Sequence, residues 1–272
     1  MASPWTDLDR PPLSPRALDA ALHHHAGPAR MWRRVVVVGS TGSTNADVVA
    51  AARAGEAEGL VVVAEHQAAG RGRLDRTWTS PPRAGLTFSM LLRPDVPMAA
   101  RPLLPLLVAT AAAAAASERA DVDVHLKWPN DLVVDHRKVA GLLAEAVGDA
   151  VVVGVGMNVS TRRAELPRAD STSLVLERGE PVDRQALLLA VLRTVSEHYA
   201  AWVEQGGAAP GVLARYRARS ATLGRRVRVE LPSGEALTGT AADIDDGGRL
   251  VVDAPGGRRV VSAGDVVHLR PV

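Results

Sequence analysis

Of the 32 lysine and arginine residues in this 272-residue chain, only Lys127 and Lys138 are lysines, and both fall in one stretch, KWPNDLVVDHRKVAGLLAE. A lysine ammonium is compact, rotatable and able to follow a migrating negative charge, whereas a guanidinium is a rigid fork that stays protonated. Where arginine serves almost everywhere else, a retained lysine marks a position that chemistry restricts. The competing explanation is compositional drift that spared two surface lysines. The three asparagines, Asn45, Asn130 and Asn158, also lie in motif-like segments: GSTN, KWPND and GVGMN. In Lys127-Trp128-Pro129-Asn130-Asp131 the ammonium can hold phosphate oxygens, while Asn130 and Asp131 can orient a nucleotide or the waters of a divalent cation. A plain Asx-capped turn accounts for Asn130 and Asp131 equally well. Lys138 brings a second ammonium to the start of the next strand, and Gly141 leaves room for a ligand against the backbone. The glycines of GVGMN, Gly154 and Gly156, either line a pocket or relieve packing.

A long polar loop, EHQAAGRGRLDRTWTSPP, spans Glu65 to Pro82. Gly70 and Gly72 let its backbone approach a ligand closely, while Arg71, Arg73 and Arg76 supply charge-assisted donors. Such a loop suits carboxylate and phosphate groups that must be held while negative charge moves between them. An RG-rich RNA-binding segment and a surface turn are the alternatives. GRGR occurs once, between predicted strands, and three arginines with Trp78 are costly to leave idle. The glycine spacing fits neither a Walker A loop nor a dinucleotide fingerprint. With no cysteine, the chain has no disulfide, thiolate metal site or thioester mechanism of its own. A net charge of +2 gives no sign of a nucleic-acid coat.

The elements that must position these residues read as an α+β chain. Residues 1–34 form an extension, with Ser14 capping a short helix to about His24; the adjacent His23, His24 and His25 point different ways and read as a surface cluster. Strands are expected at 35–38, 60–65 and 86–92, with a helix at 45–54 capped by Ser43 or Thr44. A helix spans 101–119; its Ala-rich run is too small-sided and too punctuated by Pro102 and Pro105 to cross a membrane. Strands at 122–128 and 132–134 bracket a Pro129-Asn130 turn, and 139–147 with 150–159 form a hairpin through Gly148-Asp149. Residues 160–180 read as a flexible loop, followed by helices at 183–205 and 211–220. From Leu223 the turn signals Pro-Ser-Gly, Asp-Gly-Gly and Pro-Gly-Gly separate five short strands, which fit a small barrel. The divisions expected are therefore 1–34, 35–222 and 223–272. MASPWTDLDRPPLSP has no apolar core, so it is not read as a signal peptide, and a cytoplasmic location is the expectation.

The order GSTN, QxxGRGRxxRxW, KWPNDL, RKVAGLLxE, GVGMNV, ending in GxxVRV…GxAxDID…GxLVV…VSAGDVVHLR, resembles the biotin protein ligases over roughly residues 35–270. The resemblance implies a mixed β-sheet with flanking helices followed by an SH3-like small β-barrel. It also implies a two-step reaction: biotin and ATP give biotinyl-5′-AMP and pyrophosphate, and a lysine of a biotin carboxyl carrier protein or domain then takes the biotinyl group. Ser43, Thr44, Asn45 and Gln67 match the family's biotin contacts, and Gly70, Arg71, Gly72 and Arg73 match the loop that folds over biotin and adenylate. Lys138, beside Gly141, matches the lysine between carboxylate and phosphate and is the expected electrostatic catalyst, with Arg71 and Lys127. Arg73, Arg76, Trp78, Lys127, Asn130, Asp131 and Asn158 are expected on the ATP side, where Asn130 and Asp131 could also serve Mg²⁺ carried by ATP. The family loop usually has a third glycine where this chain has Asp75, and the 34 leading residues are too few for a DNA-binding winged domain. A ligase-only type with no DNA and no membrane partner is the expectation. Lipoate ligases share the fold, but their pattern of arginines, triple glycine and His-Asp is absent here. A non-enzymatic nucleic-acid binder is the reading from a different class.

Overall fold

The computed structural model describes residues 10–23, 28–73, 76–262 and 264–268. Helix α1 (Pro15–His23) is capped as expected, with the Ala17 N–H donating to Ser14 Oγ at 3.3 Å. Its apolar side carries Leu18 and Leu22, four residues apart, which are buried together with Leu13 and Trp32. The other histidines of the triple, His24 and His25, lie outside the described residues. Strand β1 (Arg34–Val38) runs parallel to β2 (Leu60–Ala64), joined by helix α2 (Thr44–Arg53). Two short strands, β3 (Gly70–Arg71) and β4 (Thr77–Trp78), pair as a separate ribbon within the polar loop. Next come β5 (Gly85–Leu92), helix α3 (Leu104–Ala120), β6 (His125–Lys127), β7 (Asp131–Val134), β8 (Arg137–Val147) and β9 (Ala150–Asn158). The main sheet has the order β1-β2-β5-β9-β8-β7-β6, with every pairing after β1–β2 antiparallel.

Period-two alternation gives the sheet two apolar faces. Val61, Val63, Phe88, Met90, Val153 and Val155 face the large core built with α3 and α5 (Arg184–Glu204). Leu60, Val62, Leu91 and Val152 face α2 through Val48, Val49 and Ala52. Residues 98–120 are helical, long and apolar enough to cross a membrane by length and composition alone; most of that span is buried here, and α3 packs on α5. The strand read at 122–128 is shorter, because the chain already turns at Trp128, Pro129 and Asn130.

The segment 160–180 corrects the flexible-loop reading. It holds a 3-10 turn at Arg163–Glu165 and helix α4 (Leu174–Arg178), and Thr161, Ser171, Thr172, Ser173 and Leu174 are buried. Its order comes from side-chain bonds to backbone that leave no hydrophobic period: Ser173 Oγ donates to Thr161 O at 2.7 Å and Asn158 Nδ2 to Thr172 O at 3.0 Å.

Helix α6 (Ala209–Ala218) leads to β10 (Arg226–Glu230), β11 (Ala236–Ile244), β12 (Leu250–Ala254), β13 (Gly257–Val261) and β14 (Asp265–His268). These form a second antiparallel sheet of order β13-β12-β11-β10-β14. Among the described residues β13 and β14 share no ladder, so the sheet stays open where a closed small barrel was expected. Val227, Val229, Ala241 and Leu250 join the main core, and the Trp128 indole donates to Gly248 O at 3.1 Å.

Candidate functional site

The cavity lies where the N-terminus of α2, the β3–β4 loop, the β6–β8 meander and β14 meet, with a volume of about 380 Å³. That is within the range of small-ligand sites. One end is neutral and hydrogen-bonding. Ser43 caps α2, and the Thr44 N–H and Oγ1 both point at Gln67 Oε1, at 2.7 and 3.0 Å. Ser89 Oγ donates to Asn45 Oδ1 at 2.6 Å, while Asn45 Nδ2 donates to Leu143 O at 3.2 Å and Glu145 Oε1 at 2.9 Å. Ser43, Thr44, Asn45 and Ser89 are all buried, so these bonds offset desolvation and fix each side chain in one orientation.

Two glycines of β9 make this packing possible. A Cβ on Gly154 would lie 2.0 Å from Asn45 Oδ1, and one on Gly156 would lie 2.5 Å from the Trp78 ring. Gly70 does not line the cavity; a Cβ there would meet Trp78 O at 2.4 Å, so its role is to let β3 pair with β4. Among the described residues Trp78 Nε1 is buried without an acceptor, and it forms part of the cavity wall.

The rest of the lining is charged. Six cationic side chains, Arg71, Arg73, Arg76, Lys127, Lys138 and Arg168, line the cavity against four carboxylates, so the site favours an anionic ligand. Lys138 owes its place to a β-bulge. Leu132 pairs with Ala140 and Val133 with Lys138, leaving Val139 as an extra residue on β8. In a regular strand residues 138 and 141 would face opposite ways; the extra residue puts them on one face. Lys138 Nζ consequently lies 3.0 Å from where a Gly141 Cβ would stand, so Gly141 makes room for the lysine, where the sequence suggested room for a ligand. The ammonium pairs with Asp131 Oδ1 at 2.6 Å and sits 5.9 Å from the Trp78 ring centroid.

The four arginines among these cations each have a partner at hand. Arg71 reaches Glu145 Oε1 at 3.0 Å, and Arg73 donates to Asn130 Oδ1 at 3.3 Å. Arg76 pairs with Asp265 at the start of β14. Arg168 and Asp170 share two bonds of 2.7 Å. Burial pulls the Arg73 guanidinium below its ordinary value, opposed by Asp265 and Asp131, and it remains protonated. The Arg168 bond, with Lys127 nearby, holds the Asp170 carboxyl below the usual carboxylate range. Asn130 and Asn158 spend their amide N–H groups on the fold, donating to Leu142 O and Thr172 O at 2.8 and 3.0 Å.

All the residues expected from the sequence to bind biotin or ATP, except Gly70, therefore converge on one cavity. Asp75 lies outside the described residues. Sequence reading missed Glu145, Arg168, Asp170, Asp265 and Ser89. Glu145 closes the RKVAGLLAE run and Asp265 lies within VSAGDVVHLR, so position in a motif was a usable signal for those two. Arg168 and Asp170 lie in the segment read as a loop. Among the described residues no group of three His, Asp or Glu side chains converges as a metal cage.

Comparison with known proteins gives these residues a context. Residues 41–160 match the model of the biotin/lipoate A/B protein ligase family, and residues 222–269 match that of the biotin protein ligase C terminal domain. The chain is 44% identical over 272 residues to the biotin--[acetyl-CoA-carboxylase] ligase of Mycobacterium tuberculosis, covering 97% of this chain and 100% of that protein. It is similar to the structure of the biotin protein ligase from Aquifex aeolicus in complex with biotin and ATP, with a TM-score of 0.74, 28% identity and coverage of 87% and 99% of the two chains. It is also similar to the Leishmania major biotin protein ligase in complex with biotinyl-5-AMP, with a TM-score of 0.60, 25% identity and coverage of 84% and 98%.

Proposed function

The chain belongs to the biotin protein ligases, and from that premise we propose how its own residues divide the work of an ATP-dependent biotin–[acetyl-CoA-carboxylase] ligase. The observation that supports the assignment is Lys138 Nζ, paired to Asp131 over Gly141 in a cavity that also holds the buried polar residues of α2 and the loop arginines. A biotin carboxylate and an ATP α-phosphate repel each other, and their approach needs a cation placed between them. Ser43, Thr44, Asn45 and Gln67 hold the uncharged ring end of biotin. Lys138 follows the charge as a carboxylate oxygen bonds to the α-phosphorus and the bond to the β-phosphate oxygen breaks, releasing pyrophosphate. Arg71 and Arg73 fold the β3–β4 loop over the adenylate, Arg76 and Trp78 complete that wall, and Lys127 holds the outer phosphates. In the second step the acceptor lysine's amine attacks the biotinyl carbonyl, AMP leaves, and the amine loses a proton.

Mg²⁺ fits this site as a guest of ATP. With no cage of three acidic or histidine side chains among the described residues, the phosphates would supply most of its ligands, and Asn130 and Asp131 would contact its waters; its chemistry is to neutralise charge on the leaving pyrophosphate. The acceptor is the biotin carboxyl carrier protein or domain of a carboxylase. The reading extends to an enzyme of the cytoplasm that acts without DNA or membrane, with a catalytic unit at 35–222 and an SH3-like unit at 223–272. Biotin-dependent exchange of labelled pyrophosphate into ATP tests the central assignment. Exchange is expected with biotin and not with lipoate; exchange that ignores biotin would overturn it.

A further inference from the structure

The residues ahead of α1 reach the site at one remove. Arg10 is buried; it donates to Ser160 O at 2.8 Å and makes a two-point pair with Glu165, at 2.5 Å (NH2–Oε2) and 3.2 Å (NH1–Oε1). This contact holds the Glu165 carboxyl below its ordinary range. Just downstream, Pro11 O accepts from Arg184 NH2 at 2.7 Å, and the Leu13 N–H donates to Glu65 Oε1 at 2.6 Å. Arg184 also bonds Gly85 O at 3.0 Å, at the head of β5. Residues 10–13 thus form a strap anchored at three points across the ends of the strands that floor the cavity.

Glu165 belongs to the segment 162–171, which supplies Pro167, Arg168, Asp170 and Ser171 to the cavity wall. No residue from 162 to 170 is buried, so apolar packing cannot fix its course. Polar ties do that instead. Arg10 holds Glu165 at one end, while Arg163 donates to Ser171 O at 3.0 Å and the Lys138 N–H to Asp170 O at 2.8 Å at the other. Neither the family resemblance nor the motifs point to Arg10.

We propose that Arg10 is a positioning residue for the nucleotide end of the cavity: by clamping Glu165 it sets the course of 162–171 and with it the stance of Arg168 and Asp170 beside Lys127 and Lys138. The proposal rests on the reading of this cavity as the site of adenylate formation. Steady-state kinetics of the full chain and its Arg10→Gln, Arg10→Lys and Glu165→Gln variants test it, with tryptic mapping of the same samples. In Arg10→Gln the KM for ATP should rise about five- to tenfold while the KM for biotin stays within about twofold, a size typical of coupling through one contact. Trypsin should cut faster after Arg162, Arg163 or Arg168, and ATP should suppress that cutting. Arg10→Lys should fall between, because an ammonium cannot reproduce the two-point fork. An unchanged ATP KM, or equal rises in both KM values with a lowered unfolding midpoint, would overturn the proposal and leave Arg10 a structural brace. If Arg10→Gln does not fold, the ATP KM of Glu165→Gln and Arg10→Lys decides in the same way. A parent chain without biotin-dependent exchange would instead sink the reading of the site itself, and this proposal with it.

Discussion

At the scale of single residues, the proposed reaction ties the ammonium of Lys138 most closely to charge that develops only as the new P–O bond forms. Its loss should therefore fall on the chemical step. Lys138→Ala should slow single-turnover adenylate formation by about a hundredfold or more, the size of losing one preorganised charge. Lys138→Arg should restore little, because the Gly141 surface accommodates a slender head 3.0 Å away and a planar fork does not fit there. Rapid-quench measurement of biotinyl-5′-AMP checks both, and parent-like rates in Lys138→Ala would mean that the residue is a solvated strand end. The two lysines were legible in the sequence because the chain has so few, and both line the cavity. Gly141 was legible as a residue but not in its purpose. Glu145 and Asp265 lie within motifs, yet the sequence does not show that each would meet an arginine of the distant loop, Arg71 and Arg76.

At the scale of elements, strand β9 was read with its glycines undecided between pocket and packing. They do both, since Gly154 admits Asn45 and Gly156 admits Trp78. Gly156→Ala should force Trp78 off the strand, cost about 1–3 kcal/mol by overpacking, and weaken ATP binding more than biotin binding. Gly154→Ala, where the intruding atom would meet a buried amide at 2.0 Å, should be the worse of the pair. Urea unfolding with ATP and biotin titrations of both variants measures this; a harmless Gly154→Ala would contradict the packing described. The helices and long strands were legible because their apolar periods are complete. The bulge at Val139 was not, since alternation along β8 does not announce an inserted residue. The course of 160–173 was also hidden, because side-chain to backbone bonds order it and leave no period to read.

At the scale of the molecule, five strands after Leu223 were legible from their turn dipeptides, but not which strands would stand at the edges of the sheet. Turn chemistry joins sequence neighbours and is silent on whether the two edge strands meet. Where this sheet meets the rest, His268 Nε2 lies 3.2 Å from Thr222 Oγ1, which accepts the Trp128 N–H at 3.1 Å. Burial first, then Lys127, Arg225 and His136, lowers the His268 pKa to about 4. Below the ordinary histidine value of about 6.5, the unfolded chain takes up a proton that the folded chain refuses. Stability should thus be lost as pH falls from about 6.5 towards 4, and His268→Gln should shed that part of the slope. Urea midpoints across this range give the test; equal slopes in parent and variant would show that His268 does not titrate with folding. The arrangement of the two lysines has a separate consequence. Biotinyl-5′-AMP is a mixed anhydride that acylates free amines, while guanidinium groups are poor nucleophiles at neutral pH. An exterior that carries arginine in place of lysine is inert to the enzyme's own reagent, so a molecule of product that escapes has almost nothing on its maker to spoil. Even an Arg73→Gly variant that leaks adenylate should biotinylate a bystander protein while peptide mapping of its own chain finds label nowhere but on Lys127, Lys138 and the terminal amine.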